Sequence, residues 1–384
     1  MKGIVKKAVV IFCILGAFFI FRGTAISEEI NIGLSAGLTG PTSYYGIDCL
    51  HGAEIAAKEI NDDGGVVVAG EKYTVRIRAY DDEGTAAKAV AGMQKLKDRY
   101  NVPVVSQNQS ACIFGMMERN EKLGVLLIGN FKHNAATQRG NKLLLRHESP
   151  NSDEARAVAE GAVRIYKVKS YALLSDVGDY GKGLSSDYKD MFGKLGVKLV
   201  AEEWLDMRTQ TDFRSQLTKI KAAQPDLIVL TAYDEATAGA IIQAHELGIK
   251  TPFAVCSGFQ AGGRKITGPE RIEGYLKQVQ FHSTLPPPPA ITRYFTKLYP
   301  AMNYKEPAGM YGATIYNHIH TIVRAMQKAG TTTDAWAIRK AAPSVLPLPE
   351  KINTRGLQSW NENGESFTTD PIGMFRNGEL LVVK

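Results

Sequence analysis

Short runs of β-branched and aliphatic residues alternate along most of the chain with longer segments in which apolar residues recur at helical spacing. This alternation is typical of a parallel sheet covered by helices. The runs predicted to be strands form two series: Ile30–Ser35, Tyr73–Tyr80, Val102–Ser106 and Val125–Gly129, then Ser170–Ser175, Lys198–Trp204, Asp226–Thr231 and Phe253–Cys256. The helices predicted between them are Gly46–Asn61, Thr85–Tyr100, Glu154–Tyr166, Leu184–Leu195, Asp212–Ala223 and Ala236–Leu247. The pattern therefore predicts an α/β chain folded as two doubly wound lobes.

Polar and proline-rich segments interrupt the two series and are predicted to cross between the lobes. The first, residues 146–153 (RHESPNSD), ends in candidate helix caps at Ser152 or Asp153. The second lies near residues 275–289. Its run Pro286–Pro289 is interpreted as a stiff turn rather than as a polyproline recognition motif.

The remaining chain is predicted to return to the first lobe and then to close the second. The returning helices are predicted at Ala290–Leu298, Tyr311–Ala329 and Asp334–Ala341. After a third crossing near residues 353–356, a strand pair is predicted at Ile372–Phe375 and Leu380–Val383, with a turn at residues 376–378. The predicted lobes are therefore residues 28–147 with 282–353, and residues 148–281 with 354–384.

The first 27 residues have the pattern of a secretory signal peptide. Met1–Lys7 is short and basic, and Ala8–Phe21 is a nearly unbroken apolar run of about 14 residues. That run is shorter than the roughly 20 residues that span a bilayer as a helix. Ala25 and Ser27 supply small residues for cleavage, whereas Cys13 lies inside the apolar run and not at its end, where a lipid anchor would need it. We predict cleavage after Ser27 and a periplasmic location.

Net charge and length exclude some classes of protein. The formal charge of the chain is +7, and removing Lys2, Lys6, Lys7 and Arg22 leaves +7 − 4 = +3. No cluster of basic residues interleaved with aromatics remains, so a nucleic-acid partner is not predicted. About 357 residues follow Ser27, which is more than one hydrophobic core usually holds and agrees with two lobes.

The residues that catalysis or metal binding would use are not arranged for either. The seven histidines form no H-E-x-x-H pattern, and no G-x-S-x-G nucleophile turn occurs. Cys49, Cys112 and Cys256 are too widely spaced for a metal motif, and a Cys49–Cys112 disulfide and free buried thiols both remain open. We therefore predict a protein that is not an enzyme and binds no metal or cofactor.

Ligands of open parallel sheets bind outside the carboxyl ends of the strands, so the loops after the strands are the candidate site. Two of these loops are rich in glycine, residues 35–46 and residues 178–183. Neither matches the phosphate-binding G-x-x-x-x-G-K-[ST] pattern or the dinucleotide pattern G-x-G-x-x-G, so nucleotide binding is not predicted.

Several short motifs occur in an order that resembles a known family. They are Leu38-Thr-Gly-Pro41 with Tyr45-Gly46, Gly52-Ala53, Ile60-Asn61 with Gly64-Gly65, the Tyr180-Gly181 turn, and the tail from Asn363-Gly364 to Val383. In this order, over essentially the whole chain after residue 27, the sequence resembles the branched-chain amino-acid-binding proteins. The resemblance implies a type I periplasmic binding protein with two Rossmann-like lobes and three crossings. It further implies a monomer that captures a small molecule for an inner-membrane ABC permease.

The resemblance also assigns candidate ligand-binding residues. Ser110 matches a serine at the N-terminus of a helix, where hydroxyl and backbone N–H groups hold the ligand carboxylate; a plain N-cap is the alternative role. Tyr45, Tyr180 and Tyr233 match positions that surround the ligand side chain. Tyrosine suits such a wall because it combines apolar area with a hydroxyl group that orients the ligand.

The sequence departs from the family where the ligand ammonium group would bind. Phe131 replaces the small residue whose carbonyl takes the ammonium group, and we predict that it forms an aromatic wall of the pocket. His133 replaces a threonine, and Lys132 or His133 would add positive charge to an anion site. Ser257 replaces the acidic partner of the ammonium group, for which Asp234 is an alternative unless it caps a helix. A buried ammonium group without a carboxylate costs several kcal/mol.

We therefore predict that the ligand is a small organic acid with an aromatic or apolar body, or an amide. Two alternatives remain open. One is a branched-chain or other amino acid as the ligand. The other is a sensory receptor whose closed form binds a chemoreceptor or kinase.

Overall fold

The computed structural model describes residues 28–279, 289–354, 356–366 and 370–383. The predicted signal peptide and residues 286–288 of the predicted proline turn lie outside the described residues. Within these ranges no helix is both long enough and apolar enough to cross a membrane.

The first lobe is built on a six-stranded sheet in the order β2-β3-β1-β4-β5-β6. Its strands are β1 Glu28–Ala36, β2 Val66–Val68, β3 Glu71–Asp81, β4 Val104–Gln107, β5 Leu126–Gly129 and β6 Leu144–Arg146. β2 is antiparallel to β3, and the other neighbours are parallel. The carboxyl ends of β1, β4 and β5 therefore lie side by side at one edge of the sheet.

Helices cover both faces of this sheet because its central strands β1, β4 and β5 are buried on both faces. The helices are α1 Ser43–Asp62, α2 Ala86–Tyr100, α3 Ser110–Met117, α4 Asn120–Leu123 and α5 Ala135–Gln138, and from the later chain α11 Pro289–Arg293, α12 Tyr299–Ala301, α13 Met310–Ala329 and α14 Ala335–Ala341. α1 and α13 pack together over one apolar core, and α2 and α3 lie over the other. The chain after the second crossing thus returns to the first lobe.

The second lobe is built on a seven-stranded sheet in the order β13-β12-β11-β10-β9-β7-β8. Its strands are β7 Ser170–Asp176, β8 Lys198–Leu205, β9 Leu227–Thr231, β10 Phe253–Val255, β11 Leu276–Gln278, β12 Ile372–Arg376 and β13 Glu379–Val382. Its helices are α6 Asn151–Tyr166, α7 Asp179–Lys194, α8 Arg214–Ala223, α9 Asp234–Glu246 and α10 Ala261–Thr267. β12 and β13 pair antiparallel, as predicted, through a turn with positive φ at Asn377 and Gly378.

The predicted α/β fold with two doubly wound lobes is confirmed, with differences at short elements. Strands β2 and β6, of three residues each, were not predicted. The predicted cap of α6 is wrong, because the helix begins at Asn151 and places Ser152 and Asp153 inside its first turn. The cysteines Cys49, Cys112 and Cys256 are buried free thiols, so the disulfide alternative does not apply.

The segment after the predicted third crossing packs against the first lobe. Leu357 and Trp360 belong to the apolar core beneath α1 and α13, and Trp360 donates its indole N–H to the carbonyl of Arg146. The division of the lobes at residues 147, 281 and 353 remains a prediction. The packing of Trp360 leads us to propose that the third crossing lies after residue 366.

Candidate functional site

The loops at the carboxyl ends of the two sheets lie against one another. The hydroxyl of Tyr45, from the first lobe, accepts a hydrogen bond from Asp234 N at 2.9 Å and donates to Gly258 O at 3.1 Å, both in the second lobe. Arg208, after β8, donates from Nη2 to the carbonyl of Gly84 at 2.6 Å. The cleft between the lobes is therefore closed around these contacts.

Three tyrosines predicted from the resemblance form one continuous wall in the cleft. The ring of Tyr233 lies 5.1 Å from that of Tyr45 and 5.2 Å from that of Tyr180, centroid to centroid. The hydroxyl of Tyr180 is 3.2 Å from Ser257 Oγ. The structure thus brings together Tyr45, Tyr180, Tyr233 and Ser257 from four separate connections between a strand and the following helix.

Ser110 is the first residue of α3, and Gln109 occupies the N-cap position. The Ser110 side chain does not cap the helix; its hydroxyl accepts a hydrogen bond from His133 N at 3.4 Å. Ser110, Tyr180, Tyr233 and Arg208 line a cavity of about 310 Å³ between the lobes. The first turn of α3 lies at this cavity as well. The first N–H groups of a helix lack intrahelical partners, so those of α3 are available to a ligand.

His133 is a contact between the lobes rather than a source of positive charge. Burial lowers the pKa of its ring, although the nearby Asp179 carboxylate acts in the opposite direction, so the ring is neutral at pH 7. The ring lies against α7, where a Cβ atom at Gly183 would come within 2.5 Å of His133 Cδ2. Its other neighbour is the ring of Phe114, with centroids 5.0 Å apart.

Phe131 is placed differently from the prediction that it forms a wall of the ligand pocket. Its side chain is buried in the apolar core beneath α2 and α3, and it is absent from the residues that line the described cavities of the cleft. The guanidinium carbon of Arg146 lies 5.4 Å from its ring centroid. A large aromatic ring gains more by burial in this core than in a polar loop.

A buried ion pair next to the cleft was missed by the sequence analysis. Lys132 Nζ lies 2.7 Å from Glu154 Oε2 and donates to Gln278 Oε1 at 2.9 Å. Glu154 Oε1 accepts a hydrogen bond from Ser257 N at 2.9 Å. Lys132 therefore does not supply the unpaired positive charge that was expected. No spacing in the sequence links residues 132 and 154, because they meet only through the packing of two lobes.

Carboxylates also line the 310 Å³ cavity. Asp176 accepts N–H groups of Gly178 and Met207 at 2.8 and 3.1 Å, and burial raises its pKa. Asp206 accepts from Arg208 N at 2.9 Å and from the hydroxyl of Thr209. Asp206 thus holds its own loop, and Asp176 holds both its own loop and the loop after β8.

A second cavity of about 460 Å³ shares Arg208 and Tyr233 with the first and extends toward Asp234. Asp234 is the first residue of α9. Its Oδ1 accepts a hydrogen bond from Gln260 N at 2.5 Å and so holds the loop after β10 in place. Burial raises its pKa, and its buried Oδ2 has no hydrogen-bond partner within the described part of the chain. The predicted role as a plain helix cap is therefore replaced by a link between two loops of the cleft.

Buried amides mark the floor of the cleft at the first sheet. Asn108 and Asn130 follow the paired ends of β4 and β5, Gln107 and Gly129. Asn108 Oδ1 and the whole Asn130 amide have no hydrogen-bond partner among the described residues. The described residues contain no group of three or more His, Cys, Asp or Glu side chains placed to hold a metal ion.

The sequence profile of a family described as "Periplasmic binding protein" matches residues 29–353. The Leu/Ile/Val-binding protein BraC3 of Rhizobium johnstonii is 25% identical over 352 residues, which are 91% of each chain. The Leu/Ile/Val-binding protein of Escherichia coli K12 is 27% identical over 271 residues, 70% of this chain and 72% of that protein.

Solved structures show the same fold. LivJ of Streptococcus pneumoniae, in complex with isoleucine, matches with a TM-score of 0.81 and 22% identity, covering 93% of this chain and 99% of that one. A solute-binding protein of R. palustris, in complex with benzoate, matches with a TM-score of 0.80 and 16% identity, covering 93% and 96%. The chain therefore belongs to the periplasmic binding protein family, with the type I fold and with the branched-chain amino-acid-binding proteins among its relatives.

Proposed function

We propose that this protein is the periplasmic substrate-binding component of an ABC importer and that it captures a small organic acid, with an aromatic or apolar body, or an amide. The observation that carries the proposal is the shared cavity of Ser110, Tyr180 and Tyr233. Its polar end and its aromatic wall come from different lobes, so the lobes form a complete site only when they close.

The polar end of this cavity suits a carboxylate or an amide oxygen. The Ser110 hydroxyl is not used as a helix cap, and the N-terminal end of α3 carries a partial positive charge. Tyr180 and Tyr233 contribute apolar faces. A cavity of about 310 Å³ lies at the lower end of the roughly 300–1,000 Å³ typical of small-molecule sites.

The transport role follows from closure. A ligand that contacts both lobes shifts the protein toward the closed form, and the closed form is what a membrane permease can distinguish from the empty protein. The protein would act as a monomer in the periplasm after cleavage of residues 1–27. Its curated relatives named Leu/Ile/Val-binding proteins support the solute-binding role.

A second candidate ligand is an amino acid. Asp179 is exposed at the rim of the same cavity as Asp176 and Asp206, and these carboxylates would attract an ammonium group. We rank this candidate second because Asp176 and Asp206 already accept hydrogen bonds from backbone N–H groups of the loops after β7 and β8, and because Ser257 is not acidic.

Matched ligand pairs test the choice between the two candidates. The purified protein is titrated in a thermal-shift assay with benzoate, 3-phenylpropanoate, 4-methylpentanoate, phenylalanine and leucine. 4-Methylpentanoate is leucine without its amino group, and 3-phenylpropanoate is phenylalanine without it. A bound ligand raises the free energy of unfolding by RT ln(1 + [L]/Kd). We expect the acids to raise the melting temperature more than the amino acids. Stronger stabilisation by leucine or phenylalanine would overturn the proposed ligand class.

A further inference from the structure

The buried pair Lys132–Glu154 joins the two lobes and is connected to the candidate ligand cavity through Ser257 and Tyr180. Lys132 lies in the loop after β5 of the first lobe and is 5% exposed; Glu154 lies on α6 of the second and is fully buried. The backbone of Lys132 is fixed as well, since its carbonyl accepts hydrogen bonds from Arg146 Nη1 at 2.8 Å and from Asn151 N at 2.8 Å. The position of this ammonium group is thus built into the fold.

Glu154 is connected to the cavity through one residue. Its Oε1 accepts the N–H of Ser257 at 2.9 Å, and Ser257 Oγ lies 3.2 Å from the hydroxyl of Tyr180, which lines the cavity. Its Oε2 lies 2.7 Å from Lys132 Nζ. Glu154 is therefore a buried carboxylate behind the aromatic wall: Oε1 accepts a hydrogen bond, whereas Oε2 has the Lys132 ammonium group as its ion-pair partner and no hydrogen-bond partner among the described residues.

A buried carboxylate is costly unless a cation or hydrogen-bond donors compensate it. Two cations could in principle supply that charge at the back of this cleft, an ammonium group of the ligand or one of the protein. Here the protein supplies it. While Lys132 remains in place, a second ammonium group at this carboxylate would bring two like charges together in a buried site, which is unfavourable.

We propose that Lys132 is a specificity-determining residue: its ammonium group occupies the cation site of Glu154 and so excludes ligands that carry their own amino group. The inference rests on the proposed function, because it explains why a small acid and not an amino acid is bound. It assigns a latent ammonium site to Glu154 and Ser257, opened by the loss of the Lys132 side chain.

The experiment compares two substitutions of the same residue. Lys132→Ala removes the charge and leaves a space, whereas Lys132→Met removes the charge and fills the space. Each variant is tested for stabilisation by propylammonium chloride, which replaces the part of the side chain lost in Lys132→Ala. Sodium chloride and tetramethylammonium chloride at the same ionic strength are the controls, since neither cation offers an N–H donor.

We expect propylammonium to raise the melting temperature of Lys132→Ala and not that of Lys132→Met. We also expect the affinity ratio of leucine to 4-methylpentanoate to rise by about tenfold or more in Lys132→Ala, since a buried ion pair is strongly destabilised when one partner is missing. In a folded Lys132→Ala protein, an unchanged affinity ratio would overturn the inference whatever the effect of propylammonium, and so would the absence of any propylammonium effect.

A double variant covers the case in which Lys132→Ala does not fold. Lys132→Ala with Glu154→Gln removes the buried charge altogether and is expected to fold without responding to propylammonium. If Lys132→Ala folds only when propylammonium is present, the ammonium site is supported. If the double variant folds but Lys132→Ala fails even with propylammonium, the inference is wrong. Failure of the proposed function is seen separately, as preference of the unsubstituted protein for leucine over 4-methylpentanoate.

Discussion

Two residues at the starts of helices show how local position decides what a polar side chain is free to do. Asp334 precedes α14, and its Oδ1 accepts the N–H groups of Trp336 and Ala337 at 2.9 and 3.1 Å. Ser110 is one position further along at α3 and makes no such bond. The side chain of Asp334 is therefore committed to the helix, whereas the hydroxyl of Ser110 faces the cavity.

Substituting these two residues should give opposite results. Ser110→Ala is expected to weaken binding of the preferred acid by about 10- to 100-fold, the usual effect of losing a hydrogen bond to a charged group, and to change stability little. Asp334→Ala is expected to lower the free energy of unfolding by about 1 kcal/mol without changing affinity. Isothermal titration and urea denaturation measure the two quantities. Loss of stability without loss of affinity in Ser110→Ala would show that the serine is only structural.

A second residue-scale prediction concerns Lys277 on β11. Burial lowers the pKa of this lysine to about 8, and the nearby Arg264 acts in the same direction. The unfolded chain therefore holds one more proton than the folded protein between about pH 8 and the ordinary lysine pKa of about 10.4. Over that range the contribution of Lys277 to stability increases with pH.

Lys277→Met is accordingly expected to be more stable than the unsubstituted protein at pH 7, and its advantage should shrink as the pH rises from 8 to 10. The change is at most about 3 kcal/mol, at 1.36 kcal/mol per pKa unit. Urea denaturation of both proteins at matched pH values measures it, and the difference between them removes the effect of other titrating groups. A constant difference across this range would contradict the lowered pKa.

At the scale of elements, the closest helix packing in the first lobe depends on glycine. The Cα of Gly52 on α1 lies so close to α13 that a Cβ atom there would overlap the carbonyl of Gly312. Asp48, one turn earlier on α1, accepts the N–H groups of Gly309 and Gly312 at 2.9 and 2.7 Å. These contacts fix α13 against α1. They therefore hold the part of the chain that follows the second crossing to the first lobe.

Gly52→Ala is expected to destabilise the protein by about 1–3 kcal/mol, because a methyl group forced into a packed helix contact must push the helices apart. Gly193 on α7 supplies a matched control, since a Cβ atom there has no neighbour within 4 Å. Gly193→Ala should be neutral or stabilising by up to about 1 kcal/mol, through the higher helix propensity of alanine. Equal effects of the two substitutions in thermal unfolding would mean that the α1–α13 contact carries no packing strain.

The sequence predicted the regular elements well and the irregular ones poorly. Long elements such as α13 carry a strong hydrophobic period, and the hairpin of β12 and β13 carries an Asn-Gly turn, so local pattern was sufficient. Three-residue strands such as β6 are too short to show a period, and they form because neighbouring strands offer a free edge. The boundary near Trp360 depends on which core that side chain enters, which is a tertiary property.

The residues of the candidate site were likewise predictable from the sequence only in part. Ser110 and the three tyrosines lie just after strands, where ligands of parallel sheets bind, but it was the family resemblance that singled them out. Phe131 lies in such a loop but turns into the core, and loop position alone does not decide the direction of a side chain. The partner of Lys132 lies on another lobe, and no local pattern could supply it.

At the scale of the whole molecule, polar contacts from several loops hold the lobes together in the described part of the chain. Besides those of Tyr45, Arg208 and Lys132, the amide of Asn134 donates to the carboxylate of Asp187 on α7 at 2.9 and 3.0 Å. Contacts of this kind are each worth about 1 kcal/mol net. Loss of one of them should therefore shift the balance between closed and open forms without unfolding either lobe.

Tyr45→Phe removes the hydroxyl that bonds to both Asp234 and Gly258, and is expected to favour the open form. In small-angle scattering the variant should have a larger radius of gyration than the unsubstituted protein, and its ligand should dissociate several-fold faster, given about 1 kcal/mol per hydrogen bond. Tyr188→Phe is the control, because the Tyr188 hydroxyl is buried without a hydrogen-bond partner among the described residues. Identical scattering curves for the three proteins would argue against closure through Tyr45.

The return of α13 to the first lobe has a consequence for the timing of folding during synthesis. The core beneath α1 contains Ile315, Ile319 and Met326, which leave the ribosome long after β1. At about 5–20 residues per second, the earliest strands wait many seconds for these partners. The second lobe is completed later in the chain, because its sheet includes β12 and β13. Neither lobe can complete its core until nearly the whole polypeptide has been made. The nascent chain therefore stays incompletely folded, and able to pass through an export channel as an extended chain, for most of its translation.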